Sequence, residues 1–188
     1  VCPLPTIYLS PSTQEFNEYV NGLGTEEEWM NRLADAMEPQ LTASGIRFTR
    51  NTPDMTAASS IQASNAGSYD LHLALHTNAS GSGQAGRNRG ILAFYYPGSP
   101  RGQRAAEFFV DGLKAIYPLP ALVRTEPTTT IGEVRRTRAP AVLLELGFHD
   151  NPEDAQWIVT HIDAMAESLV LSLTEYFGLP FFPASTPQ

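Results

Sequence analysis

Short strand-like runs alternate along this chain with longer helix-like ones, and no other feature restricts the fold as much. Thr6-Ile7-Tyr8-Leu9-Ser10 is β-prone and is followed by Pro11. The polar stretch from Pro11 to Gly24 reads as a long loop. Thr25 then precedes Glu26-Glu27-Glu28, a capping-box pattern with Thr25 as N-cap and Glu28 three residues on. The helix that follows puts Met30, Leu33, Ala34, Met37 and Leu41 on one face and ends near Ser44-Gly45. Ile46 to Thr49 predicts a second strand and roughly 55 to 66 a helix. Leu71-His72-Leu73-Ala74-Leu75-His76 is the clearest internal strand. Gly90 to Tyr96 predicts a strand, Arg101 to Ala115 a helix, Pro140 to Leu146 an apolar strand, and Asn151 to Phe177 mostly helix. This order predicts βαβ units and an α/β class fold: a single domain with a largely parallel twisted sheet and helices on both faces. The 188 residues suit one domain, residues 1–179, with 180–188 as a Pro-rich terminal extension.

Several function classes are disfavoured. No apolar run reaches the roughly 18 residues that a membrane helix needs, so no membrane span is expected. The start, Val1 to Pro5, lacks the basic and apolar regions of a signal peptide, so we expect either a removed export signal or an excised domain. Cys2 is the only cysteine, which rules out an intrachain disulfide and leaves a terminal thiol with no neighbouring histidine. Lys114 is the only lysine and the formal net charge is −8, which argues against a nucleic-acid partner. Gly81-Ser82-Gly83-Gln84-Ala85-Gly86 matches G-x-G-x-x-G, but a strand and not a helix follows it, so a flexible loop is expected. No G-x-S-x-G elbow is present.

In a parallel sheet of this kind, sites gather at the carboxyl ends of strands. That rule points to the loop after Ser10, to His76 and to the end of the strand holding Glu145. A neutral imidazole at a strand end, as at His76, can ligate a metal; the alternative is a ring hydrogen-bonded within the loop. His72 has the same strand parity but sits deeper, and reads as a buried, satisfied histidine. Glu145 lies inside Ala141-Val142-Leu143-Leu144-Glu145-Leu146, where a carboxylate is costly unless paired, protonated or bound. Burial moves its pKa towards the range of a general acid or base; the alternative is an ion pair, for example with Arg135. Glu26 shares the inward helical face with Met30 and Ala34, although all three first-turn acids could simply serve the helix start.

Four segments together resemble the zinc-dependent N-acetylmuramoyl-L-alanine amidases of spore-cortex, cell-separation and phage lysin type. They are Ile7 to Gln14; Glu26 to Ala34 with Gly45 to Arg50; Leu75-His76-Thr77-Asn78-Ala79-Ser80 with Gly90 and Tyr95-Tyr96; and Val134 to Thr137 leading to Pro140 to Phe148 and Asn151 to Asp154. The resemblance implies an amidase-like catalytic domain that cuts the bond between N-acetylmuramic acid and the stem-peptide L-alanine. It implies that Glu26 and His76 ligate Zn2+ and that Glu145 is the catalytic acid/base. Arg135 and Asn78 are then the substrate-binding candidates.

This chain departs from the family at the first zinc ligand. The family's histidine falls near Thr13, and the loop reads Ser10-Pro11-Ser12-Thr13-Gln14-Glu15. Gln14 is the expected third ligand, with Glu15 and His149 as rivals. The resemblance further implies a peptidoglycan (muropeptide) substrate, an extracytoplasmic, secreted or cell-wall location, and a monomer. A non-catalytic peptidoglycan-binding module on the same fold is the alternative.

Overall fold

The computed structural model describes residues 2–184, so residues 185–188 of the expected Pro-rich extension lie outside the described residues. Six strands form one sheet: β1 (Thr6–Pro11), β2 (Arg47–Arg50), β3 (Leu71–Asn78), β4 (Ile91–Tyr95), β5 (Val123–Pro127) and β6 (Ala141–Phe148). Their order across the sheet is β2-β1-β3-β6-β4-β5. Every neighbouring pair is parallel except β4 with β6. Six helices accompany the strands: α1 (Glu26–Ala43), α2 (Ala57–Ala66), α3 (Pro100–Lys114), the single turn α4 (Gly132–Arg135), α5 (Pro152–Thr160) and α6 (Ile162–Phe177). The predicted class and the largely parallel sheet are therefore present. Among the described residues, no helix is long and apolar enough to cross a membrane.

The two faces of the sheet differ in thickness. Leu71, Leu73 and Leu75 of β3 and Val142, Leu144 and Leu146 of β6 enter the main core with α1, α3, α5 and α6. Strand side chains alternate, so the residues between them face the other way. That second face carries His72, Ala74 and His76 of β3 and Leu143 and Glu145 of β6. Its apolar cluster is small, with Ala74, Leu143 and Val134 at its centre. Among the described helices, α4 packs on β6 from this side and α2 packs on α4. The polar residues of the two apolar strands thus lie on the thin side, and those at the carboxyl ends stay within reach of solvent.

Local chemistry fixes the elements that frame this face. The Thr25 side chain accepts a hydrogen bond from Glu28 N at 3.2 Å, capping α1. Arg89 Nε, Gly90 N, Tyr117 Oη and Phe148 N all donate to the fully buried Asp154 carboxylate, at 2.6–3.1 Å. Asp154 therefore ties α5 to β6, to the start of β4 and to the chain after α3. Asp154→Ala would leave these buried donors unpaired, and we expect it to cost about 2 kcal/mol. A thermal midpoint unchanged within 1 °C or so would contradict that role. The described part of the Pro-rich extension also docks: Ser44 Oγ donates to Phe182 O at 3.1 Å and accepts from Phe182 N at 3.0 Å.

Two elements were not expected from the sequence. Strand β5, Val-Arg-Thr-Glu-Pro, has no apolar alternation and lies at the sheet edge. Helix α4 has four residues, too few for any periodic signal.

Candidate functional site

Register brings the site together. In β3 and β6, His76 is paired with Glu145 at the carboxyl end of both strands. Glu26, the first residue of α1, reaches the same edge: its Oε1 accepts from Thr77 N at 3.1 Å and lies 3.0 Å from His76 Nδ1. Its Oε2 accepts from Asn17 Nδ2 at 2.6 Å, and that same nitrogen lies 2.5 Å from Gln14 Oε1. Gln14 is thus one amide away from Glu26. The β1 loop, the first turn of α1 and the end of β3 form one hydrogen-bonded corner.

On the other side of the imidazole stands Glu133 of α4, which sequence reasoning missed. Its Oε2 is 3.4 Å from His76 Nε2, and its Oε1 accepts from Ser10 Oγ at 2.6 Å. His72 is fully buried and stacked on Tyr8, with Nδ1 at 2.9 Å from Ser64 Oγ. Its Nε2 lies 3.5 Å from Glu133 Oε1, too far for a good hydrogen bond, so the ring is buried as expected but only half satisfied. No motif marks Glu133 in the sequence. Only the path of the chain after β5 delivers it over β3.

The electrostatics follow from this placement. Burial works against a charged His76 ring, but the Glu133 and Glu26 carboxylates outweigh it and push the pKa up to about 10. Burial likewise disfavours a charged Glu133, yet contact with His72 and His76 brings its carboxyl down to about 2. Glu26 is also held below the ordinary carboxylate range, with His76 and Asn17 overcoming its burial. Glu145 goes the other way. Burial pushes it up to about 7, with His76 opposing and Glu26 adding to the rise. Its Oε2 is buried without a hydrogen-bond partner. Three acids around one imidazole are therefore split into two that stay ionised and one poised to exchange a proton near neutrality.

A cavity of about 250 Å³ opens onto this corner, lined among others by Ser12, Thr13, Gln14, Asn51, His76 and Glu133. Among the described residues, no group of three His, Cys, Asp or Glu side chains is placed to hold a metal ion. The pair Glu26 Oε1 and His76 Nδ1 comes nearest. Their 3.0 Å separation is close to the spacing of about 3.3 Å between two donors on a tetrahedral zinc ion.

The remaining candidates stand in different relations to this corner. Glu15 is exposed. His149 is stacked on Tyr19, with Nδ1 at 3.0 Å from Thr77 Oγ1, so its contacts are with those residues and not with His76. Asn78 ends β3, and its side chain accepts from Ala79 N at 2.9 Å. Arg135 is exposed and lines a separate groove of about 530 Å³ with Tyr96, Arg101 and Arg138. That groove adjoins Ala141, four residues or about 13 Å along β6 from Glu145. Arg135 has no ion pair with Glu145.

A family model described as N-acetylmuramoyl-L-alanine amidase matches residues 14–175. No curated protein matches the chain in sequence. Solved structures with the same fold include the amidase AmiC2 of Nostoc punctiforme, with a TM-score of 0.80 and 14% identity over 93% of this chain and 97% of that one. The catalytic domain of the amidase CwlV from Bacillus (Paenibacillus) polymyxa var. colistinus has a TM-score of 0.79 and 14% identity, over 94% and 99%. An amidase from Clostridium difficile 630 has a TM-score of 0.74 and 19% identity, over 94% and 98%. At these identities the structural likeness speaks for the fold.

Proposed function

Because the chain belongs to the N-acetylmuramoyl-L-alanine amidase family, we propose that it hydrolyses the amide between N-acetylmuramic acid and the stem-peptide L-alanine, with Glu145 as general acid/base. The observation that carries this reading is the pairing of Glu145 with His76 at the strand ends, beside Glu26. A carboxyl with a pKa near 7 takes a proton from water and returns it to the leaving amine at neutral pH. The substrate is peptidoglycan, and the site of action is extracytoplasmic.

Two of the three protein donors that a catalytic zinc takes stand together here. An anionic oxygen and an imidazole nitrogen stand at ligand spacing, and a buried carboxylate oxygen beside them has no partner. Glu26 and His76 would hold the ion, with the Gln14 amide oxygen as third donor. Zinc would supply Lewis-acid polarisation of the scissile carbonyl. The chain's own groups do the rest. Glu26 is anchored by Thr77 N and Asn17, so its carboxylate keeps one orientation. Glu145 handles the proton. Asn78, two residues past His76 at the end of β3, would hydrogen-bond the substrate and Arg135 would bind it further along.

A neutral amide is a weaker zinc ligand than imidazole. Thr13→His or Gln14→His is therefore expected to tighten zinc by at least about tenfold and to raise activity at limiting metal. Gln14→Ala should weaken zinc binding, and an unmoved affinity in a chelator competition would remove Gln14 from the site.

The proposal is tested by adding purified protein and zinc to insoluble peptidoglycan and following turbidity. Clearing that a chelator abolishes is the expected result. Co-sedimentation with intact peptidoglycan and no clearing would favour a binding module, the reading that the missing third charged donor suggests.

A further inference from the structure

The groove that holds Arg135 lies at the amino end of β6, away from the His76 corner. The chain has a formal net charge of −8 and only 12 basic residues. Three of them, Arg101, Arg135 and Arg138, line this one groove of about 530 Å³. All three are exposed, and among the described residues none of them is in an ion pair. Other arginines are neutralised, Arg50 by Asp35 and Glu38 and Arg89 by Glu153 and Asp154. The first turn of α3 opens on the same groove at Ser99 and Pro100 and contains no acid. The segment is also fixed in place: Asn65 of α2 donates to Arg136 O and accepts from Arg138 N, both at 2.8 Å. Three guanidinium groups gathered without a counter-charge repel one another. Such a groove suits an oxyanion, which their planar forks bind through paired hydrogen bonds.

An open track joins this groove to Glu145. Strand register pairs Leu92 of β4 with Glu145 and Phe94 with Leu143. Paired residues share a face, so Leu92 and Phe94 lie on the thin side of the sheet. Tyr96 follows them into the groove. Leu92 and Phe94 are half-buried and Tyr96 is exposed, because α3 meets β4 in the main core on the opposite face, with Ile91, Ala93 and Tyr95. Glu126 of β5, in register with Phe94, faces Arg124 at 3.4 Å. From Glu145 to Ala141 at the groove is about 13 Å, the span of about four extended peptide residues. We propose that the leaving stem peptide runs over Leu92 and Phe94 and that Arg101, Arg135 and Arg138 bind the free carboxylate at its distal end. The chain then selects stems with an open terminal carboxylate over stems whose terminal carboxyl is consumed in an amide cross-link. This rests on the amidase reading with cleavage at Glu145.

The test compares two soluble N-acetylmuramoyl tetrapeptides that differ only at the last residue, a free carboxylate in one and its primary amide in the other. Cleavage by the full chain with added zinc is followed as kcat/KM for release of N-terminal L-alanine. Binding of the same pair to Glu145→Gln protein is followed by calorimetry. Wild type should favour the acid over the amide by at least about tenfold in kcat/KM, carried by KM, and Glu145→Gln should bind the acid tighter by a similar factor. Arg135→Ala combined with Arg138→Ala should bring both ratios to within about twofold, and Arg135→Glu should reverse them. These side chains are exposed, so the variants should keep the fold. A wild type that treats acid and amide alike, or a preference that survives the double substitution, would overturn the proposal. Cleavage of both peptides without preference sinks the groove alone. Acid-selective binding that depends on Arg135 and Arg138, with no cleavage of either peptide by wild type, sinks the amidase reading alone. Neither binding nor cleavage sinks both.

Discussion

Glu145→Gln is expected to keep the fold and the metal and to lower peptidoglycan cleavage by at least about 100-fold. The swap preserves volume and removes the proton acceptor. Glu145 is paired with His76, half-buried, raised to about 7, and has one buried oxygen without a partner. Wild-type activity should therefore rise with pH through an apparent pKa near 7, and the variant should lack that limb. Stability supplies a second readout. The folded-state pKa lies above the ordinary 4.5, so the folded chain holds this proton more tightly than the unfolded one. The resulting stabilisation is full below about pH 4.5 and is lost as pH rises through 7. The metal-free variant should melt above wild type at pH 8, with the gap closing towards pH 4.5. Activity within a few-fold of wild type would remove Glu145 from catalysis.

His76→Ala is expected to abolish stoichiometric zinc and to reduce cleavage by about 1000-fold. The change removes the one imidazole that Glu26 and Glu133 share. It also leaves two buried carboxylates without the cation that keeps them ionised, so both should titrate higher than in wild type. Their stabilising charge, present above pH 4.5 in the wild type and lost as pH falls through the lowered folded values, should then fail at less acidic pH. Elemental analysis of the purified variant checks the first part: retained zinc would overturn the ligand assignment. A pH series of thermal midpoints checks the second.

Much of this arrangement is legible in the sequence because it depends on local periodicity. Period-2 alternation through Leu71 to His76 and Ala141 to Leu146 places His76 and Glu145 on one face at the same sheet edge. Helical register from Glu26 to Met30 and Ala34 selects Glu26 over its two acidic neighbours, and Glu26 is the buried member of the three. What stays hidden is set by chain path. Strand β5 lacks alternation because it is an edge strand, with Val123 alone fully inside. Helix α4 is one turn, and Glu133 reaches His76 across 57 residues of sequence. Asn17, which joins Gln14 to Glu26, sits in the long loop after β1, where no regular repeat predicts side-chain direction. Arg135 shares α4 with Glu133 but lines the groove near the start of β6. The ion pair with Glu145 that the sequence left open for Arg135 does not form, because α4 turns that side chain away from Glu145.

The most direct measurement is the identity of the new chain end. Purified peptidoglycan is digested with the zinc-loaded protein, and the products are labelled at free amines and separated. The account predicts new N-terminal L-alanine in proportion to clearing, unchanged glycan reducing ends, and none of this with Glu145→Gln. New amines on residues other than L-alanine, new reducing ends, or full activity in Glu145→Gln would contradict it.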